Sequence, residues 1–231
     1  MRQAVGRTLM ISACAELALA GCAQAEVKPS IAEFVFEQLG PQSCALMPAD
    51  MDGPRLRAIT AENPDAPVAR GTVSGEIDGE FFGGGVYGAD AESGLITGIQ
   101  GAIVAAPDDE IIYLCLLTVS LGDSPASGDG AVIVHEAEMD AASQGSFVAP
   151  YQIWDRDEAG APQRLAIGTA TGGSAQFAVN GVGQLSGTVT VRLPGLTEDG
   201  AIEATLTLPA AENIISPIPR LTRDEPQEIA E

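Results

Sequence analysis

The fold is decided by residues 110–121, which read Glu-Ile-Ile-Tyr-Leu-Cys-Leu-Leu-Thr-Val-Ser-Leu. This run is apolar at almost every position instead of alternating between apolar and polar residues. A continuous apolar run is typical of a strand covered on both faces, whereas a strand with one solvent-exposed face alternates. The sequence therefore predicts a central β-strand in the middle of the chain.

Further strand-like runs lie on both sides of this segment, separated by Gly, Asp, Asn and Pro. Residues 184–191 and 202–208 alternate cleanly, which predicts strands with one exposed face. The pairs Asp78-Gly79, Asn180-Gly181 and Asp199-Gly200 are typical of tight reversals. The predicted strands are Val68–Ile77, Glu80–Tyr87, Gly94–Val104, Glu110–Leu121, Ala131–Glu138, Ser146–Trp154, Arg164–Thr169, Ala175–Val179, Gln184–Leu193 and Ala201–Leu208.

This pattern predicts an all-β fold, either an antiparallel sandwich or a small barrel of about 8–10 strands. One short N-terminal helix is predicted over Ser30–Leu39, because Ser30 and Glu33 have the spacing of a capping box. Gly40 and Pro41 follow and end this helix. Residues 41–67 are rich in Pro, Asp and Ala without sustained periodicity, so they are predicted to be an irregular connection.

The N-terminus has the parts of an export signal: two arginines, a short apolar stretch over residues 9–20, and small residues before Cys22. Leu19-Ala20-Gly21-Cys22 resembles the lipobox of bacterial lipoproteins, in which the cysteine is acylated and becomes the new N-terminus. The resemblance implies a membrane anchor at Cys22 in the cell envelope. Ala23 follows the cysteine in place of an aspartate, which favours the outer membrane.

A second processing site stays open. Ala23-Gln24-Ala25 fits an ordinary secretory signal, and cleavage there would release a soluble periplasmic chain that begins at Glu26. With the lipobox reading, the chain divides into a signal peptide (1–21), a lipidated N-terminus with the short helix and irregular segment (22–67), a β domain (68–209) and an extended acidic, proline-containing tail (210–231).

The chain is strongly acidic. Its 231 residues include 11 Lys and Arg against 32 Asp and Glu, which gives a net charge of −21 at pH 7. Such a surface repels nucleic acid and anionic lipid headgroups, so we expect no nucleic-acid partner. Solubility explains this charge most simply, and capture of cations or of a basic partner is the alternative.

The cysteines indicate an oxidising compartment. Cys14 leaves with the signal peptide and Cys22 would be acylated, so Cys44 and Cys115 remain as one pair. We predict a disulfide between them, because two unpaired thiols are unusual in an exported domain. The alternative is that Cys115, inside its apolar run, is a buried small hydrophobic residue.

Two patterns resemble catalytic or nucleotide-binding motifs. Residues 83–88 fit G-x-G-x-x-G, but no helix can open at their end, so we interpret them as a glycine-rich strand. Gly122-Asp123-Ser124 is similar to the nucleophile block of GDSL-type esterases, which needs an Asp-x-x-His pair near the C-terminus. The one histidine, His135, lacks that context. We therefore interpret the segment around Ser124 as a surface turn.

The sequence offers few side chains that could bind a metal ion. With one histidine and no spare cysteine, a zinc site of the usual kind cannot be assembled. Asp155 and Asp157 are the remaining candidate ligands for calcium, although Ala159 and Ala166 stand where further ligands belong, and we interpret them as an acidic turn. The sequence predicts no cofactor and no enzymatic activity.

Several of the few aromatic residues lie at strand spacing, which is typical of core positions. Clustered aromatic residues can also line a ligand groove. Phe82, Tyr87 and Trp154 are the candidate ligand contacts.

Two segments resemble the small β-barrels of transferrin-binding-protein-B-like surface lipoproteins. Phe81-Phe82-Gly83 and the following Tyr87–Glu92, with Gly94 and Gly98, are similar to the signature F-Y-G-P-x-A-x-E-x-G-G. Leu185–Val189 is similar to the G-x-L-S-G-T strand. Ala89 stands in place of the proline, and the two elements occur in the opposite order. The resemblance implies a lipid-anchored barrel that binds a solute or a protein.

These observations predict a non-enzymatic, membrane-anchored envelope lipoprotein whose all-β domain binds a small-molecule ligand or a protein partner. Two alternatives stay open: an envelope hydrolase with an unassigned acidic or serine site, and a soluble secreted structural β protein.

Overall fold

The computed structural model describes residues 30–39, 48, 50–64, 66, 68–90, 94–121, 131–142, 145–179 and 185–211. The predictions about the signal peptide, Cys22, Cys44, Ser124 and residues 212–231 lie outside these described residues.

The described chain is mostly β-structure with two short helices. The helices are α1 (Ile31–Leu39) and α2 (Gly53–Glu62), and a short 3-10 helix covers Glu136–Ala141. The strands are β1 (Ala69–Gly75), β2 (Gly79–Asp90), β3 (Gly94–Ala105), β4 (Ile111–Ser120), β5 (Ala131–Ile133), β6 (Phe147–Val148), β7 (Pro150–Arg156), β8 (Pro162–Thr169), β9 (Gly172–Val179), β10 (Leu185–Pro194) and β11 (Ala201–Ala211).

The strands form one sheet that closes on itself. Hydrogen-bonded neighbours follow the path β1-β2-β3-β4-β6-β5-β9-β10-β11 and return to β1. The pairings along this path are antiparallel except for β5 and β6, which pair in parallel through Ile133 and Phe147. A sheet that closes in this way has the connectivity of a small barrel, not that of two facing sheets.

The hairpin β7–β8 extends the sheet beyond the closed ring. β6 and β7 are almost one continuous strand, broken at Ala149, whose carbonyl accepts a hydrogen bond from the Ala170 amide at 2.8 Å. Along this strand β4 pairs first with β6 and then with β7. β8 then lies on the far side of β7.

The main core fills the inside of the ring. Alternate residues of each strand point inward, such as Ile99, Leu116, Val189 and Leu206, each 0% exposed. Their outward neighbours on β11 face solvent. On the outer face of β2, β3 and β4, by contrast, Phe82, Ala102 and Tyr113 pack against Leu56, and Cys115 and Leu117 pack against α1. Strand β4 is therefore buried on both faces from Tyr113 to Ser120, as its apolar run predicted.

Helix α1 covers one part of the outer face of β4. Ser30 Oγ accepts a hydrogen bond from the Glu33 amide at 3.2 Å, and a Glu33 carboxylate oxygen accepts one from the Ser30 amide at 2.9 Å. This reciprocal pair is the predicted capping box. The helix then buries Val35 and Phe36 against Cys115 and Leu117.

Most of the predicted strands are confirmed, and two predictions are wrong. The run Ala131–Glu138 is a strand only to Ile133, because His135 Nδ1 accepts a hydrogen bond from the Ala137 amide at 3.1 Å and begins the 3-10 helix. The segment 41–67 is not irregular throughout, because α2 forms within it. The glycine-rich residues 83–88 lie inside β2, as interpreted from the sequence.

Candidate functional site

The candidate site is a groove between α2 and the outer face of β2 and β3. Helix α2 begins where the Asp52 carboxylate accepts a hydrogen bond from the Arg55 amide at 2.8 Å, and Pro54 occupies its first turn. An aspartate cap followed by proline is a favourable helix start. Leu56 then packs on Phe82, Ala102 and Tyr113.

Two arginines fasten α2 to the barrel wall. Arg57 donates to Glu80 of β2 and to Asp109 of the β3–β4 loop, both at 2.6 Å. These hydrogen bonds, first that to Glu80, raise the pKa of Arg57 above its ordinary value. Arg70 of β1 donates to the carbonyl of Thr60 at 3.3 Å, near the other end of the helix. The middle and the C-terminal part of α2 are thus tied to the barrel, and the groove lies beneath this part of the helix.

The groove has a volume of about 520 Å³. Its roof is α2 and the segment that joins α2 to β1, and its floor is the outer face of β2 and β3. Its lining is formed by Leu56, Ile59, Thr60, Asn63, Ala66, Val68, Phe82, Gly83, Gly84, Gly85, Gly98, Gln100, Gly101 and Tyr113.

The groove floor lies close to the backbone of β2 and β3, because glycines without side chains form much of it. A Cβ built on Gly84 would meet no atom within 4 Å, so this position opens directly into the groove. Gly83 and Gly101 are opposed across the β2–β3 ladder, and a Cβ on Gly83 would lie 2.7 Å from the Cα of Gly101. The two backbones can approach this closely only because neither residue has a side chain.

None of the described residues that line the groove carries a charged side chain. Two of its polar side chains are bound to the helix itself: Thr60 Oγ1 donates to the Leu56 carbonyl at 2.7 Å, and the Asn63 amide donates to the Ile59 carbonyl at 2.9 Å. Gln100 is also engaged in an interaction. Ile59 is 41% exposed at the rim, so it offers apolar surface to an occupant.

The structure brings two of the three predicted ligand contacts into one cluster. Phe82 lines the groove, and Trp154 packs against the same cluster beneath α2, where its Nε1 donates to Gln152 at 2.9 Å. For Tyr87 the structure describes the backbone only, as part of β2. The strand aromatics Phe81, Phe147, Tyr151 and Phe177 lie in the barrel core.

The chain matches no protein-family model, and comparison with curated proteins and with solved structures finds no similar protein.

The acidic candidates take part in a turn. The Asp157 carboxylate accepts hydrogen bonds from the amides of Ala159 and Ala161 at 2.9 and 2.8 Å, and Asp155 accepts one from the Arg156 amide at 2.6 Å. These bonds order the β7–β8 turn. Within the described ranges, no group of three or more His, Cys, Asp or Glu side chains could hold a metal ion.

Cys115 lies on the outer face of β4, 2% exposed, beneath α1. Cys115 takes part in an interaction with another group. Its predicted partner, Cys44, lies outside the described residues, so the pairing stays a prediction. None of the helices in the described part of the chain is long and apolar enough to cross a bilayer.

The roof of the groove was not predicted from the sequence. Ile59, Thr60 and Asn63 all belong to α2, which was predicted to be irregular. The available signal was Asp52-Gly53-Pro54, an N-cap followed by proline in the first turn. The floor position Gly84 was noticed only as part of a glycine-rich strand.

Proposed function

We propose that this chain is a non-enzymatic, lipid-anchored envelope protein whose β domain binds an uncharged, largely apolar small molecule in the α2 groove. The observation that carries the proposal is the groove of about 520 Å³ with an uncharged lining and an open floor at Gly84. Ligand pockets of about 300–1,000 Å³ with mostly apolar walls are typical of small-molecule sites.

The chemistry of the lining selects the ligand class. A charged ligand would lose its hydration without gaining an ion pair, because the charged neighbours Arg57 and Glu80 are already paired with each other outside the groove. An apolar ligand would instead cover Ile59, Phe82 and the backbone of the glycine floor. This selection holds although the chain as a whole is strongly acidic.

The proposed location rests on the N-terminal sequence. The lipobox at residues 19–22 supports an anchor at Cys22, and two or more acyl chains give durable membrane attachment. The closed ring of strands supports the resemblance to the small barrels of transferrin-binding-protein-B-like lipoproteins. The anchored domain would then present its groove at the surface of the outer membrane.

A bulky residue at the open floor position tests the groove. The neutral fluorophore N-phenyl-1-naphthylamine is titrated into the wild-type protein and into Gly84→Leu. The leucine side chain has free space to enter, so the fold is retained, but it fills the groove and should weaken probe binding by about tenfold or more.

Gly172→Leu is the matched control, because a Cβ at Gly172 also meets nothing within 4 Å and the residue lies on β9, away from the groove. It should bind the probe as the wild type does. Equal binding by wild type and Gly84→Leu, with both proteins folded, contradicts the groove as the ligand site.

A further inference from the structure

Two threonine hydroxyls lie inside the barrel without a hydrogen-bond partner. Thr97 of β3 and Thr118 of β4 are direct neighbours in the β3–β4 ladder, and both residues are 0% exposed. Neither Oγ1 atom has a hydrogen-bond partner in the part of the chain that the structure describes. Their neighbours two residues along each strand, Ile99 and Leu116, belong to the main core, so both hydroxyls point into the barrel.

This arrangement is energetically unfavourable if the space between the hydroxyls is dry. A buried hydroxyl without a hydrogen bond loses its hydration and receives nothing in exchange. Native proteins rarely leave such groups unsatisfied, and an ordered internal water is the usual partner. Each threonine hydroxyl offers one donor and two acceptor sites to such a water.

The geometry of the ladder suits one bridging molecule. Directly opposed residues of antiparallel strands have Cβ atoms about 4.5–5.5 Å apart. At this separation two hydroxyls that do not bond each other can both reach a single water between them. The two side chains therefore form a preorganised polar pair next to the apolar core residues Ile99 and Leu116.

The pair lies beyond the last paired residues of β1 and β2. Thr97 pairs with Tyr87 of β2, whereas β1 pairs with β2 only as far as Gly83. Beyond that point, within the described residues, the side chain of Leu208 of β11 lies directly against Gly85 of β2.

We propose that Thr97 and Thr118 form an internal binding site for an ordered water molecule that bridges their hydroxyls. The site is separate from the α2 groove, because it lies on the inner face of β3 and β4 and the groove lies on the outer face. It makes the barrel interior hydrated at this end.

Replacement of each threonine by valine tests the proposal through the sign of the change in Tm. Valine has the shape of threonine without the hydroxyl. If the hydroxyls hold a water, Thr97→Val leaves that water and Thr118 incompletely bonded, and Tm falls by about 2–4 °C. Thr118→Val should do the same, and the double variant should lose less than the sum of the two shifts, because both act on one water.

The matched control is a threonine pair on the outside of the same barrel. Thr190 and Thr205 are opposed on β10 and β11, and their hydroxyls are 3.3 Å apart at the surface. Valine at either position should change Tm by less than the internal substitutions do. This control separates the internal water from a general effect of valine on strand stability.

A crystal structure of the full chain at high resolution provides the second readout. An ordered water within hydrogen-bond distance of both Oγ1 atoms is the expected result. An empty space between them, or a Tm that rises in the two internal valine variants, overturns the proposal, because a dry unsatisfied pair is stabilised when its hydroxyls are removed.

Discussion

Gly83 of β2 and Gly101 of β3 face each other so closely that a Cβ on Gly101 would lie 2.5 Å from the Cα of Gly83. The same Cβ would lie 2.8 Å from the ring of Phe81 in the core. This contact matters for the groove as well as for the fold, because it allows the close approach of β2 and β3, the two strands that form the groove floor.

Gly101→Ala should therefore destabilise the protein. The added methyl group meets backbone atoms of β2, which cannot move without disturbing the ladder, and overpacking of this kind costs about 1–3 kcal/mol. Chemical denaturation measures the loss. Gly84→Ala is the control: its Cβ has no neighbour within 4 Å, so its free energy of unfolding should change by less than about 0.5 kcal/mol. Equal stability of the two variants contradicts the packing described here.

Glu76 should make stability depend on pH in the acid range. Its carboxylate accepts amide hydrogen bonds from Leu196 and Thr197 at 2.5 and 3.3 Å, which ties the end of β1 to the β10–β11 loop. Desolvation raises the pKa of Glu76, but the hydrogen bonds from Thr197 and Leu196 outweigh it, so the pKa lies below the ordinary 4.5. The ionised form is therefore favoured by folding, and its contribution is present above about pH 4.5 and is lost as the pH falls through the folded-state pKa.

Glu76→Gln should lower Tm at neutral pH, and the difference from wild type should shrink as the solution is acidified below about pH 4.5. Thermal unfolding followed by circular dichroism over this pH range measures the difference. Glu158→Gln, at an exposed position of the β7–β8 turn, shows the effect of removing one negative charge from an acidic protein. A pH-independent difference for Glu76→Gln contradicts the assigned role of its carboxylate.

The Cys44–Cys115 pair should protect Cys115 from alkylation. Iodoacetamide is added to the denatured protein with and without a reductant, and labelled peptides are identified by mass spectrometry. We expect labelling of both cysteines only after reduction. Because the bridge would close a loop of about 70 residues, its loss should cost on the order of 4 kcal/mol in the chain-entropy model. Labelling of Cys115 without reductant contradicts the bridge.

The lipid anchor should be visible in the mass of the mature N-terminus. Protein recovered from the membrane fraction of the producing bacterium should begin at an acylated Cys22, and Cys22→Ala should move the protein out of that fraction. The control is Cys14→Ala, which alters a cysteine that leaves with the signal peptide. A mature chain that begins at unmodified Glu26 contradicts the anchor and indicates a soluble exported protein.

The strands were predictable because their signals are local. Turn residues separate them, residues 202–208 alternate as a strand with one exposed face does, and β4 shows its double burial as a continuous apolar run. The split of the sixth predicted strand at Ala149 was not predictable, because it depends on a hydrogen bond from Ala170, which lies between β8 and β9.

Helix α2 was not predictable from periodicity, since it buries only Gly53, Leu56 and Thr60 and has no continuous apolar face. Its position depends instead on bonds to distant residues, such as that of Arg57 to Asp109. The groove exists only when α2 lies over β2 and β3. The sequence alone was enough to select single residues such as Phe82 as ligand contacts. It was not enough to predict which residues line the groove together.

The position of a bound probe distinguishes the α2 groove from any other ligand site on the β domain. In NMR spectra of the wild-type protein titrated with N-phenyl-1-naphthylamine, the account predicts the largest shifts at the Ile59 methyl groups and the Gly84 amide, which face the groove from opposite sides. Ile59→Ser should weaken binding, whereas Leu165→Ser, at a similarly exposed leucine of β8, should not. Shifts centred on Leu165 or Leu196, or no saturable shifts at Ile59 and Gly84, would contradict a ligand site in the α2 groove.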